Sequence, residues 1–325
     1  MNEIEGDSKL SSPGQGQDAV DVSIVIVNWN SKQLLLDCLA AVYENVRNVS
    51  FEVWVVDNAS SDGSVEAVSA KFPQVRIICN EVNLGFAAAN NKALRQMAGR
   101  YALLLNTDAV LTPGAVERLY RFMEENQAAA MSCGQLLNAD GSRQNSIANF
   151  PNFLTLLCKE SMLRLLWPTR YPSKRQDYAV PTPVDSCIGA CLMVRKKAMD
   201  EVGLLDERYF FFMEETDWAL QMKKAGRGSV FIPDAQIYHL QGQSVGPGLK
   251  GRILFYRSRY QYFRKWHPKS YPLAYVLLSA RLVINTALNL LGTMVTMGLH
   301  KGVRQKLRVY SGLIAWHLRG CPEDT

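Results

Sequence analysis

An unbroken apolar run, VSIVIVN (22–28), is followed by similar runs at FEVWVVD (51–57), VRIICN (75–80) and YALLLN (101–106). Continuous runs of this kind mark strands buried on both faces; a half-exposed strand would alternate. Between them the apolar positions switch to helical spacing. SKQLLLDCLAAVYEN has Ser31 as its expected cap, SDGSVEAVSAKFP has Ser61 or Asp62 near its start, and GFAAANNKALRQM is a small-residue helix. Pro113 stands where a first-turn proline would open the next helix, and AAAMSCGQLL predicts a fifth strand. The order β-α-β-α-β-α-β predicts an α/β fold with a doubly wound, mostly parallel sheet and right-handed crossovers.

Each buried run stops at polar residues: Asn28-Trp29-Asn30, Asp57-Asn58, Asn80 to Asn83, and Asn106-Thr107-Asp108. In such sheets ligands bind outside the carboxyl ends of the strands, so these four ends mark one candidate site. VNWNSK stands where a dinucleotide-binding chain carries its glycine-rich turn, which argues against NAD or FAD. Asp57 suits a base N–H or a ribose hydroxyl. Gly85 and the alanines after it leave room either for a ligand phosphate at the helix start or for tight helix–sheet packing. Asn106-Thr107-Asp108 suits a hard divalent cation that neutralises a leaving diphosphate, with an Asx-turn as the structural alternative.

Beyond Phe150 the pattern is mixed. VDSCIGACLMVRKKAMDEVG reads as strand then helix, and Gly189 and Ala190 leave space for an acceptor. FFFMEETDWALQMKKAGRG reads as a helix ending at Gly226, with Glu214, Glu215 and Asp217 crowded near its start. Acids are favoured at helix N-termini, but crowding also raises a carboxylate's pKa towards that of a general base. His239, in YHLQGQS, offers an imidazole to a metal.

Charge changes the picture of the C-terminus. The chain has 325 residues and a net charge of +6. No acidic residue occurs between Asp234 and Glu323, a span that holds thirteen basic ones, so the remainder carries −7 (6 − 13). Leu282 to Leu299 is uncharged and barely long enough to span a bilayer, which needs ~20 residues. Arg281, Asn285, Asn289, Gly292, Thr293, Thr296 and His300 form a polar stripe along it, and Val303, Leu307, Tyr310 and Ile314 form an apolar one in the next segment. Two basic amphipathic helices suit an anionic membrane surface; packing on the enzyme body or between two copies is the alternative. The seven scattered cysteines and a polar start without an apolar h-region lead to the expectation of a cytosolic protein with reduced thiols. The expected division is a disordered tail (1–20), an α/β domain (21–245) and a basic helical, membrane-associating region (246–325).

SIVIVNWNS, VVDNASSDGS, NLGFAAANNKAL, LLLNTDAVL, GACLMVRK, LLDERYFFFMEETDWALQMKKAG and YHLQGQS, in this order, resemble the family-2 glycosyltransferases of the GT-A fold, in particular rhamnosyltransferase-type members. The resemblance covers about 22–245. It implies an inverting enzyme that moves a sugar, rhamnose among the candidates, from a nucleoside-diphosphate donor to a surface-glycan or polyprenyl-diphosphate-linked acceptor. Asp57 then matches the base-contacting residue, and Asn28, Asn83, Gly85 and Asn106 belong with it to the donor site. Asp108 matches the ligand of Mg²⁺ or Mn²⁺, with Asn106 at the position of the family's first aspartate, and His239 matches a C-terminal metal ligand. Glu215 stands at the catalytic carboxylate, with Asp217 as a second candidate base. Gly189, Ala190 and Glu214 fall on the acceptor side. The location implied is cytoplasmic, at the inner face of the cell membrane. The alternatives are a nucleotidyl- or phosphoglycosyl-transferase, disfavoured for want of a basic loop after the first strand, and a non-catalytic nucleotide-sugar-binding or scaffolding protein. Nucleic-acid binding would leave the strand-end carboxylates without a purpose.

Overall fold

The computed structural model describes residues 20–158, 160–168, 170–171, 178–240 and 248–322. The tail expected over 1–20, except its last residue, and the boundary expected at 245/246 lie outside these residues. The chain begins β1 (Val22–Asn28), α1 (Lys32–Asn45), β2 (Phe51–Asp57), α2 (Ser64–Lys71), β3 (Arg76–Cys79), α3 (Phe86–Leu94) and β4 (Tyr101–Asn106). It continues with β5 (Ala109–Leu111), α4 (Ala115–Glu125), β6 (Ala129–Leu137), β7 (Ile147–Ala148), α5 (Phe153–Leu157) and α6 (Glu160–Leu166). Then come β8 (Thr182–Val184), β9 (Ser186–Cys187), β10 (Cys191–Arg195), α7 (Lys196–Val202), α8 (Glu214–Lys224) and β11 (Gly228–His239). Three long helices close the chain: α9 (Leu249–Trp266), α10 (Tyr271–Val295) and α11 (Lys301–Leu318).

The main sheet runs β3-β2-β1-β4-β10-β6-β11-β5, with β8 also on β11. Pairs β1–β2, β2–β3, β1–β4 and β6–β11 are parallel, as the alternating pattern predicts. Between β4 and β6 lies β10, antiparallel to both. The short β5, hidden in the sequence behind Asp108, pairs antiparallel with the end of β11. One face of the sheet buries Val22, Ile24, Ile26, Leu103 and Leu105; the other buries Val25, Val56, Ala102 and Leu104. Two covered faces account for apolar runs without alternation.

Helix α1 departs from its expected cap. The Ser31 hydroxyl donates to the Trp29 carbonyl, and the N–H of Lys32 donates to Asp62 (2.8 Å). An ionised carboxylate is the stronger acceptor for an unpaired helix-start N–H.

Helices α9, α10 and α11 share a third apolar core with Tyr209, Met213 and Leu156, so the C-terminal region packs on the α/β body. Asp217 fastens it. Its buried carboxylate accepts from Lys265 Nζ (2.6 Å), Trp266 Nε1 (2.6 Å), Gln221 Nε2 (2.8 Å) and the Tyr209 hydroxyl (3.2 Å). This corrects the placement of Asp217 among the candidate bases: a carboxylate held by four donors, one of them an ammonium, has no call for a substrate proton.

The apolar stretch is longer than Leu282–Leu299 suggests. Pro268–Val295 makes one helical run long and apolar enough to cross a membrane. Its polar stripe turns inward: Arg281 donates to the carbonyls of Thr155 and Leu156 (both 2.9 Å), and Asn285, Asn289, Thr293 and Thr296 are half-buried. Val276, Val283, Ile284, Leu288, Leu291 and Val295 stay exposed.

Replacing Asp217 by Ala leaves Lys265 and Trp266 without their partner, and removing one member of a buried ion pair costs about 3–5 kcal/mol. Urea unfolding of Asp217→Ala should show that loss; an unchanged midpoint with lost turnover would restore Asp217 to the list of bases.

Candidate active site

The carboxyl ends of β1, β2 and β4 border a cavity of about 440 Å³. Trp29, Asn83, Gly85, Asn106 and Thr107 line it, and Lys250 on the first turn of α9 closes it. The cavity therefore uses residues on both sides of the expected domain boundary. Asn28 and Asp57 lie behind its wall. Asn28 Nδ2 donates to Asp57 Oδ1 (2.9 Å), and the N–H of Ser60 donates to Asp57 Oδ2 (2.8 Å). In this structure the pair shapes the turn after β2, and Asn58 is the β2-end residue that reaches the cavity.

Gly85 decides between its two readings in favour of packing. Its φ is +81°, and a Cβ there would stand 2.4 Å from the Phe210 carbonyl oxygen. The same carbonyl accepts from the N–H of Phe86 (2.7 Å), which takes up a helix-start donor that would otherwise be offered to phosphate. Asn83 Oδ1 accepts from the N–H of Gly85 (2.9 Å) and closes the turn, while the Phe86–Phe210 bond ties it to the segment that leads into α8.

Strand pairing assembles the next layer. Asn106 donates its N–H to the Ala190 carbonyl (3.0 Å), which sets Gly189 and Ala190 beside the end of β4. The N–H of Leu240 donates to the Asp108 carbonyl (2.9 Å), and His239 stands opposite Ala109. Asp108 Oδ1 and His239 Nε2 thereby come within 3.3 Å. Gln144 fixes the imidazole. Its Nε2 donates to the His239 carbonyl, so its Oε1 faces Nδ1 (3.0 Å), which must carry the ring proton. Nε2 then presents a lone pair towards Asp108 Oδ1, a buried oxygen without a hydrogen-bond partner. Two electron-pair donors aimed together are a fit for a divalent cation. Among the described residues no group of three or more His, Cys, Asp or Glu could hold a metal. Such an ion would complete its shell from donor phosphates and water.

Helix α8 supplies the carboxylates. Phe212 (φ 72°) and Met213 (φ 70°) are both left-handed, which bulky L-residues rarely adopt. This turn places Glu214 and Glu215 at the start of α8. Oε2 of each is buried without a partner. Burial holds Glu214 well above the carboxylate range, helped by the Glu215 charge, and burial pushes Glu215 up to about 7. The Glu215 side chain passes about 4 Å from where a Gly189 Cβ would be, so a larger residue there would press on it. Glu215 lines a second cavity of about 510 Å³. Glu214 and the buried Ala190 do not line it: Ala190 belongs to the sheet core.

This arrangement sets a strand-end cavity, a carboxylate–imidazole pair and the buried Glu215 carboxylate at the start of α8 near the ends of adjacent strands. The model of glycosyl transferase family 2 matches residues 23–203, more than half of the chain. The chain belongs to glycosyl transferase family 2. This glycosyltransferase is 31% identical over 210 residues to N-acetylglucosaminyl-diphospho-decaprenol L-rhamnosyltransferase of Mycobacterium tuberculosis, a match covering 60% of this chain and 68% of that protein. It is 26% identical to an N-acetylglucosaminyltransferase of Mesorhizobium japonicum, over 77% of this chain and 58% of that one. In fold it resembles the mannosyltransferase PcManGT of Pyrobaculum calidifontis, solved with GDP-Man and Mn²⁺ (TM-score 0.57, 18% identity, 94% of this chain and 88% of that one). GalNAc-T7, solved with UDP, GalNAc and Mn²⁺, is a second GT-A neighbour (TM-score 0.54, 16% identity, 77% and 51%).

Several residues in or behind the site of the glycosyltransferase escape motif reading. Trp29 sits inside a quoted strand end, but its exposed ring at the cavity is visible only in three dimensions. Gln144 lies ninety-five positions from His239, and Lys250 looks like part of a charge run.

Gly85→Ala should destabilise the fold by more than the ~1 kcal/mol typical of an unfavourable φ alone, because the methyl also meets the Phe210 backbone. Thermal melting checks it; an unchanged melting temperature would mean that the turn moves freely away from Phe210.

Proposed function

We propose that this glycosyltransferase inverts configuration as it moves a sugar from a nucleoside diphosphate to a hydroxyl of a lipid-diphosphate-linked glycan. The observation that carries the reading is Glu215: a carboxylate whose Oε2 is buried without a partner and whose pKa is pushed up to about 7, beside Gly189 and facing an open cavity. The decaprenyl-diphosphate acceptor named for the M. tuberculosis relative supports the acceptor class, and rhamnose is the donor sugar that relative suggests.

The nucleotide occupies the first cavity, where the exposed ring of Trp29 offers a face to the base. Lys250 reaches the diphosphate as a cation. Asp108 and His239 would hold Mg²⁺ or Mn²⁺, and such an ion would supply positive charge against the departing diphosphate. Gln144 keeps the His239 lone pair on Nε2. Glu215 Oε2 takes the acceptor hydroxyl proton as that oxygen attacks the anomeric carbon from the face away from the nucleotide. Much of the acceleration then comes from holding the two substrates in line.

The exposed apolar face of α10 and the acid-free basic region support docking on the anionic inner leaflet of the cell membrane. Exchanging Ile284 and Leu288 for Asp should abolish co-sedimentation with vesicles of anionic lipid; retention of binding would move the membrane contact elsewhere.

The deciding assay incubates the protein with Mn²⁺ and a panel of UDP-, dTDP- and GDP-sugars, with and without a polyprenyl-diphosphate N-acetylglucosamine acceptor. Nucleoside diphosphate release with one donor, lost in Asp108→Ala and Glu215→Gln, is expected. Metal-dependent binding without turnover would favour the scaffolding alternative. Because the base must be ionised, turnover should fall as pH drops through about 7. Stability runs the other way. A carboxylate whose folded pKa is raised disfavours the folded state once pH exceeds its unfolded value, and the whole effect is present above about 7. Glu215→Gln should therefore raise stability at pH 8, on the order of 1–3 kcal/mol, and change little at pH 4.

A further inference from the structure

The cavity behind Glu215 has a second charged wall. Arg252 and Arg259, both on α9, and Arg281 on α10 line it opposite the α8 start. Arg259 is buried, and among the described residues its one hydrogen bond runs from Nη2 to the Thr155 carbonyl (3.2 Å). Arg281 Nη1 shares that carbonyl (2.9 Å). Among the described residues none of the three is within ion-pair distance of a carboxylate; Glu160 is the cavity's one acid besides Glu215. Burial, together with the Arg281 charge, lowers the Arg259 pKa to about 10. Two guanidinium groups gathered on one carbonyl, one of them desolvated, raise the free energy of the folded chain unless an anion joins them.

We propose that Arg252, Arg259 and Arg281 form the binding site for the diphosphate of the lipid-linked acceptor, holding it opposite Glu215 so that the first sugar's hydroxyl faces the base. Guanidinium forks match phosphate oxygens in pairs, which the flexible point charge of lysine does not. Asn145 Oδ1, buried and unpartnered, lines the same cavity and accepts from a sugar hydroxyl. The elements around the site explain where the lipid goes. Arg281 lies on the inward side of α10, whose outward side is apolar, and Thr155 and Glu160 belong to α5 and α6, which expose Leu157, Leu165 and Leu166, with Trp167 exposed just beyond α6. The prenyl chain leaves the arginines along these side chains into the bilayer, and the charged head remains in the protein.

The inference rests on the transferase reading for its substrate, but its first test does not. Inorganic pyrophosphate is titrated calorimetrically into the full chain without divalent metal, so that Asp108 and His239 cannot hold it through a cation. Saturable binding is expected, weakened at least tenfold in Arg252→Gln and in Arg259→Gln. Arg252 is exposed, so its substitution leaves folding intact even if Arg259→Gln does not fold. Equal pyrophosphate affinity in a folded Arg252→Gln, or tighter binding of glucuronate than of pyrophosphate, would overturn the site. In the transfer assay the same variants should raise KM for the prenyl-diphosphate acceptor at least tenfold, in excess of any effect on kcat; a loss confined to kcat also counts against it. Failure of the unsubstituted chain to release nucleotide from any donor would sink the transferase reading alone, because the pyrophosphate titration judges the arginines separately.

Discussion

Strand β4 is buried on both faces and ends in polar backbone that water does not reach. The N–H of Asn106 and the carbonyl of Asp108 must find partners within the protein, since an unpaired buried peptide group costs about as much as a lost hydrogen bond. Antiparallel β10 answers the first through Ala190, and the end of β11 answers the second through Leu240. Those two bonds do more than close the sheet. The first brings Gly189 next to Glu215, and the second brings His239 next to Asp108. The chemistry is thus positioned by the same demand that keeps the core intact.

Glu215 and Asp217 stand two positions apart, and their circumstances are opposite. Asp217 has four donors and secures the C-terminal helices; the Oε2 atoms of Glu214 and Glu215 have none. The left-handed turn at Phe212–Met213 brings the chain into α8 with these two outcomes on different sides of one helix start. Backbone strain and buried carboxylate oxygens without partners both cost stability, and they fall together at the start of α8, where the proposed base stands. The shared core of Tyr209, Met213 and α9 to α11 holds that arrangement in place.

Much of this architecture is legible in the sequence because a strand covered on both faces leaves an uninterrupted apolar run, and four such runs end in polar clusters. The family resemblance carried by those clusters agrees with the family match. What escapes are contacts made between distant segments. The three residues of β5 are too few to show a period, and β10 reads as a strand but not as one running against its neighbours. Asp57 shows as a carboxylate at a strand end, but its hydrogen bonds with Asn28 and Ser60, which shape the turn behind the cavity, appear only in the fold. Asp217 resembles a base by spacing, and only the return of α9 reveals Lys265 and Trp266. Gln144, Arg252 and Arg259 belong to no strand end and acquire meaning only through what lies opposite them. The stretch 151–183 reads as irregular, yet α5 and α6 within it carry apolar side chains outward beside α10.

The outward apolar face of α10 makes its surroundings part of the chain's thermodynamics. Water in contact with Val276, Ile284, Leu288 and Leu291 is a standing penalty, and a layer that covers them stabilises the folded state by as much as it prefers that state to the unfolded chain. A bilayer would then act as a folding ligand: its area, like a ligand's concentration, would set how much of this enzyme survives intact. Cells that make more membrane would hold more of it without making more of the message, and purification into plain buffer would remove a stabiliser along with the lipid.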